Sequence, residues 1–336
     1  MTAMTRLYAW GTPLLPGMML AATVAAASAF LGAHYGAPVM LFALLLGMAF
    51  NFLHEDDPCR AGIDFTSQFI LRLGVGLLGI RIAFDDVAQI GLLGAGVLAG
   101  LIALTIATGF VAGALFGRSW RFALLTGGAV AICGASAALA IAAILPANDQ
   151  NERNTLFTVI AVTALSTIAM VVYPLVFQTV GFTDIQTGFL IGATIHDVAQ
   201  VVGAGFQISD TAGEMATITK LFRVAMLPVV LLLIILALRT TATGTGRGKI
   251  PTLPWFMFLF LSLAGLGSAV DLPQTLVMQV DAISRGLLIM AIAALGVKTS
   301  LKALTTLGSG HLAMVVVETL ALLGFAMMAM VWLDLL

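Results

Sequence analysis

Segments of seventeen or more largely apolar residues recur along this chain, and each is long enough as a helix to cross a hydrocarbon core of roughly 30 Å. That recurrence leaves few folds open. A membrane β-barrel needs alternating strands of about ten residues, and the chain shows no such alternation. Apolar residues make up 60% of the sequence and charged residues only 9%, with a mean hydropathy of +1.09, far from the range of a water-soluble domain. The chain therefore reads as an all-α polytopic membrane protein.

The apolar runs predict eleven transmembrane helices, near residues 14–32, 38–53, 65–83, 91–116, 122–145, 155–179, 186–206, 217–238, 254–270, 276–297 and 311–333. With a cytoplasmic N-terminus, the inside segments hold Arg6, Arg60, Arg118, Arg121, Arg239, Arg247, Lys249, Lys298 and Lys302. The outside loops then hold only Arg81 and Arg153, the expected positive-inside asymmetry. Asp85, Asp86, Asp210, Glu214 and Asp271 face outward, as does the C-terminus at Leu336. The expected location is an inner (plasma) membrane, crossed many times. The run after Arg6 reads as an uncleaved first span, although the small residues Ala26 to Ala29 would suit signal cleavage. Only Arg239 to Lys249, rich in Thr and Gly, looks like a hydrophilic linker, so one membrane domain covers 1–336. A net charge of −1 argues against nucleic acid, and Cys59 and Cys133 form no pairing or metal-binding pattern.

Two internal resemblances point to inverted repeats, with halves near 38–180 and 185–333. Gly79-Ile-Arg-Ile-Ala-Phe-Asp-Asp-Val-Ala-Gln-Ile-Gly91 aligns with Gly296-Val-Lys-Thr-Ser-Leu-Lys-Ala-Leu-Thr-Thr-Leu-Gly308 in glycines, a basic residue and apolar positions. These segments lie seven spans apart and so cross in opposite directions, as inverted repeats require. The stretches Gly128 to Ser136 and Gly192 to Gln200 are both rich in small residues. By the span count they run the same way, which suits an inverted pair only if one is re-entrant or a boundary shifts.

Irregular backbone survives at membrane depth only where protein or a watery cavity satisfies it, so broken helices mark cavities. Span five, with Thr126-Gly127-Gly128 and Cys133-Gly134-Ala135-Ser136, is a candidate break whose free amides would attract an anion; close packing through small residues is the plainer reading. Span seven places Thr194, His196, Asp197 and Gln200 within two helical turns, an expensive cluster in hydrocarbon. His196 and Gln200 are four apart and share a helical face with Asp197 beside it, so a single cavity could reach all three. His196 and Asp197 are the coupling-ion candidates, for a proton or sodium, and a structural hydrogen-bond network is the alternative.

Four cations fall within spans: Arg72, Lys220, Arg223 and Arg285. Arg285 follows Asp281 by four residues and is open to pairing along its own helix. Arg72 lies mid-span and cannot easily snorkel, so it is expected to face a cavity. Lys220 and Arg223 lie near the outer end of span eight, where snorkelling competes with lining an access route. Against Asp197 and Asp281 these four leave a positive surplus, which an anionic solute would balance. The candidate solute-binding residues are thus Arg72, Gly128, Cys133, Gly134, Ser136, Thr194, His196, Asp197, Gln200, Lys220 and Arg223.

The segments Arg72-Leu-Gly-Val-Gly-Leu-Leu-Gly-Ile-Arg81, Gly127-Gly-Ala-Val-Ala-Ile-Cys-Gly-Ala-Ser136, Gly192-Ala-Thr-Ile-His-Asp-Val-Ala-Gln-Val-Val-Gly203 and Lys220-Leu-Phe-Arg-Val-Ala-Met-Leu-Pro228 resemble the hallmarks of the YeiH family. Its members are bacterial inner-membrane proteins provisionally labelled sulfate exporters. The chain is also similar in style to the bile-acid:sodium symporter superfamily, which implies discontinuous helices crossing near Gly128 to Ser136 and Gly192 to Gln200.

These readings lead to a secondary transporter for sulfate, a sulfonate or a small organic anion, working by alternating access and coupled to H+ or Na+. No nucleotide-binding signature is present, so ATP is not its direct drive. An anion channel and a non-transporting sensor or structural subunit are the alternatives. An enzyme is not expected, because no nucleophile stands with an evident base and orienter. The partners expected are a small anionic solute and lipid, with no cofactor and no metal; a homodimer is left open.

Overall fold

The computed structural model describes residues 13–35, 38–55, 57–82, 90–145, 149–241, 254–270, 272–299 and 309–333. Their secondary structure is helical throughout, with no strand among them. Arg6, Asp85, Asp86, Arg247, Lys249, Asp271, Lys302 and Leu336 lie outside the described residues, as do the aligned repeat positions 83–89 and 300–308.

Seven helices are long and apolar enough to cross a membrane: Leu15–Tyr35, Pro58–Arg81, Gly91–Leu115, Gln150–Val180, Asp210–Ala237, Gln274–Lys298 and Gly310–Trp332. They match seven of the expected spans. The second and ninth spans are the shorter helices Val39–Ala49 and Trp255–Ala269, and the fifth and seventh are broken. We number the helices α1 (Leu15–Tyr35), α2 (Val39–Ala49), α3 (Asp57–Phe65), α4 (Leu71–Leu78), α5 (Gly91–Leu115), α6 (Trp120–Ala131), α7 (Ala135–Ala142) and α8 (Asp149–Val180). They continue as α9 (Asp184–Thr194), α10 (Val198–Ile208), α11 (Asp210–Ala225), α12 (Leu227–Thr241), α13 (Trp255–Ala269), α14 (Gln274–Lys298) and α15 (Ser309–Trp332). The stretch expected as a linker from Arg239 begins inside α12.

The chain divides into two compact units. The first holds Met1–Val87, Val202–Gly213 and Pro254–Ser300. Lipid supplies no hydrophobic drive between helices, so close backbone approach must hold them, and glycine pairs provide it. A Cβ on Gly17 of α1 would strike Cys59 O, and one on Gly62 of α3 would strike Leu14 O. Gly47 of α2 and Gly296 of α14 meet in the same way, against Ala293 O and Leu44 O. Between α3 and α4 the helix widens into a π turn, Thr66–Ile70. A ring of four charges closes one end of this unit: Arg285 donates to Asp210 (2.6 and 2.8 Å) and Asp281 (3.0 Å), and Arg81 reaches both acids (3.5 and 3.3 Å). The expected Arg285–Asp281 pair is therefore present, widened by two partners.

The second unit holds Ala88–Val201, Glu214–Leu253 and Leu301–Leu336. Ser119 caps α6 by accepting from Phe122 N, and Thr183 with Gln186 forms a reciprocal capping box on α9. Each such cap is worth about 1 kcal/mol, so both helices that later break begin firmly.

Candidate functional site

The run 122–145 does not cross as one span. Its helix continues through Thr126-Gly127-Gly128, ends at Ala131, and restarts at Ala135 after Gly134, whose φ of +59° suits glycine. A Cβ on Gly128 would then collide with Ile141 Cδ1, whereas a straight helix would hold residues thirteen apart at roughly 20 Å. So α7 folds back along α6. The return brings the start of α8 beside the start of α6, where the Phe122 and Phe157 rings lie 6.0 Å apart and both meet His311 of α15. This re-entrant hairpin removes the direction conflict, because after the single crossing of α8 the helix α9 enters from the opposite side to α6.

The second break, at Ile195 to Asp197, follows α9. Ile195 is extended at φ −71°, ψ 139°, and Asp197 stands at the helix-starting position of α10, where its carbonyl accepts from Val201 N (3.1 Å). The two breaks touch: a Cβ on Gly134 would sit 3.4 Å from His196 Cβ.

Both helices end at this meeting point with carbonyls that no intrahelical amide satisfies. Lys220 Nζ donates to Ile132 O (2.7 Å), Ile195 O (2.9 Å) and His196 O. Arg223 donates to Val130 O, Ala131 O, Gly192 O and Ile195 O at 2.7–3.1 Å. Sequence reasoning placed these cations near a membrane face, snorkelling or lining an access route. They do neither, being 0% and 1% exposed, and their charge answers the negative ends of two half-helices. Their carbonyl partners lie 24 to 93 residues away in sequence, so no local pattern announced them.

The expected face of His196, Asp197 and Gln200 is also absent, because the helix it presumed is broken there. His196 Nε2 pairs with Thr319 Oγ1 of α15 (3.0 Å), the Asp197 amide donates to Ser166 Oγ of α8 (3.1 Å), and Gln200 Nε2 donates to Thr167 Oγ1 (3.3 Å). Thr194 donates to its own helix at Leu190 O (2.6 Å). Cys133 is a buried free thiol and Gly128 is a packing position. Gly134 and Ser136 open α7, whose N-terminus has no side-chain cap, and Ser136 is exposed. Arg72 belongs to the first unit and is exposed there, on the face that also carries Gln68.

One buried acid was missed. Glu318 of α15 is 0% exposed, and its Oε1 lies 2.7 Å from Thr126 Oγ1 of α6. The signal was a lone carboxylate inside an apolar run, and it lowers the positive surplus that sequence reasoning counted.

A family model described as Conserved hypothetical protein 698 matches residues 16–315. The chain belongs to the UPF0324 membrane-protein family. Among its relatives, the UPF0324 membrane protein RB0971 of Rhizobium meliloti (strain 1021) is 51% identical over 95% of this chain and 93% of its own length. The UPF0324 membrane protein TauZ of Paracoccus denitrificans is 49% identical over 92% and 93%. The UPF0324 inner membrane protein YeiH of Escherichia coli (strain K12) is 32% identical over 90% and 89%. The resemblance to the YeiH family thus holds. No solved structure matches the chain.

Proposed function

We propose that this UPF0324 protein is a secondary transporter of the inner membrane that moves a small anion by alternating access, with the anion's charge met at the N-terminus of α7. The unequal treatment of helix ends at the two breaks carries this reading. Lys220 and Arg223 neutralise the carbonyl ends of α6 and α9, and Asp197 already sets a negative charge at the amino end of α10. The amino end of α7 has neither, and Ala135 and Ser136 offer amides and a hydroxyl there, the Gly134 amide being already donated to Ala129 O (2.8 Å). Half-helix N-termini aimed at anionic groups are a recurrent binding element of carriers with discontinuous helices.

The solute class that suits this element is sulfate, a sulfonate or a small organic anion, with a coupling cation, H+ or Na+, taken up near His196 and Asp197. The small-residue stretches around the two breaks fit one break in each repeat half, 38–180 and 185–333. The test is counterflow in proteoliposomes, with labelled sulfate as probe and a panel of unlabelled sulfonates and carboxylates as competitors. Saturable, trans-stimulated uptake is expected; a non-saturating conductance would mean a channel, and no flux for any probe would overturn the reading.

A further inference from the structure

Glu318 is a carboxyl group at membrane depth with one neutral partner and no ion pair among the described residues. Its Oε2 has no hydrogen-bond partner, and its Oε1 has only the Thr126 hydroxyl. Room for it comes from glycine: a Cβ on Gly109 of α5 would lie 3.0 Å from Glu318 Oε1 and 2.8 Å from Ala123 O. A buried carboxylate without a cation is costly to keep for packing alone. We propose that Glu318, in place of His196 or Asp197, is the residue that binds and releases the coupling proton, an inference that rests on the transporter reading above but not on its choice of coupling residues.

The hydrogen-bond arithmetic at Thr126 supports it. Its hydroxyl has one hydrogen and three acceptors in reach: Glu318 Oε1 (2.7 Å), Phe122 O (3.1 Å) and Ala123 O (3.4 Å). When Glu318 is a carboxylate, Thr126 donates to it. When a proton forms the O–H bond on Glu318, that group donates to Thr126 Oγ1, and the threonine hydrogen turns to Phe122 O. Both states are served without moving a heavy atom. The neighbouring Thr319 donates to Val315 O (2.8 Å), so it accepts from His196 Nε2–H. Adjacent residues of α15 thus hold the α6–α7 hairpin on one side and the α9 break on the other.

The surrounding elements bring few competing charges. Helix α5 has no titratable side chain, and α6 carries only Arg121, near its start. At the α9 break stand His196, held by Thr319, and Asp197, with Cys133 across from them. Lys220 and Arg223 are committed to carbonyls. On α8 the titratable residues are Asp149, Glu152, Arg153 and Tyr173, and on α15 itself there is His311, seven residues before Glu318.

The experiment compares wild type, Glu318→Gln and Glu318→Asp in proteoliposomes with labelled sulfate, measuring equal-pH counterflow and net uptake under an imposed pH gradient. Glu318→Gln, a fixed neutral form, is expected to keep counterflow and lose the response to the gradient, while Glu318→Asp keeps part of it. A Gln variant that responds like wild type would overturn the proposal. Should wild type itself show no counterflow, the transporter reading fails separately, and infrared difference spectra still decide the proton site. A protonated-carboxyl C=O band should titrate in wild type and vanish in Glu318→Gln; its persistence, or no titrating band, refutes the assignment. If Glu318→Gln does not fold, Thr126→Val serves instead, and it should shift that band.

Discussion

Gly134 and His196 meet backbone to side chain where two interrupted helices come together, close enough that a methyl group on Gly134 would touch His196 Cβ at 3.4 Å. The helix ends at that contact are treated unequally. The carbonyl ends are claimed by cations, one amino end by a carboxylate, and the remaining amino end by no charged side chain.

Replacing Gly134 with Ala forces an L-residue into a φ of +59°. With ψ at −121° the residue lies outside the left-handed helical well, so the expected loss is about 1–3 kcal/mol, seen as a lower melting temperature in detergent. Anion-dependent stabilisation should fall further than stability does, since the α7 amides would be re-aimed.

Truncating Lys220 or Arg223 to Met leaves buried carbonyls without donors. Each charged hydrogen bond is worth about 1.5–3 kcal/mol, so both variants should lose most of their folded protein on size-exclusion chromatography. Arg223→Lys should not rescue, because the guanidinium serves four carbonyls, Val130 O, Ala131 O, Gly192 O and Ile195 O, and an ammonium has only three donors.

Ser136→Ala should raise the KM for sulfate counterflow while leaving the maximal rate and the melting temperature nearly unchanged, since the side chain is exposed and has no partner to lose among the described residues. A large fall in stability with unchanged KM would remove Ser136 from the binding element.

Asp210→Asn opens the four-charge ring at a half-exposed acid. Pairs this exposed contribute about 0–1 kcal/mol, so the change in melting temperature should be small and should shrink further in high salt.

The long spans were legible because composition alone decides them: a run such as 91–115 has no other way to satisfy its backbone in lipid. The break in span five was legible too, since Cys133 to Ser136 combine small and polar residues where hydrocarbon favours neither; the break in span seven was not, because Thr194 to Gln200 read equally well as one continuous polar helical face. The folding back of α7 was not, because an apolar run of the length of 122–145 reads the same whether it crosses or returns. The approach of Ile141 to Gly128 and of Phe157 to Phe122 separates the two cases. The tasks of Lys220 and Arg223 were hidden for a related reason: their partners are main-chain carbonyls, which every residue has and no sequence marks. Glu318 was visible all along, as the one acid within 310–332, and was overlooked.

Because α7 doubles back, the peptide before Trp120 and the peptide after Ala142 emerge on the same face of the bilayer. A membrane-impermeant thiol reagent that labels a cysteine introduced at Ser119 should therefore reach one introduced at the exposed Gln150 from the same compartment, and Arg153, expected on the outside, shares the aqueous phase of Arg118.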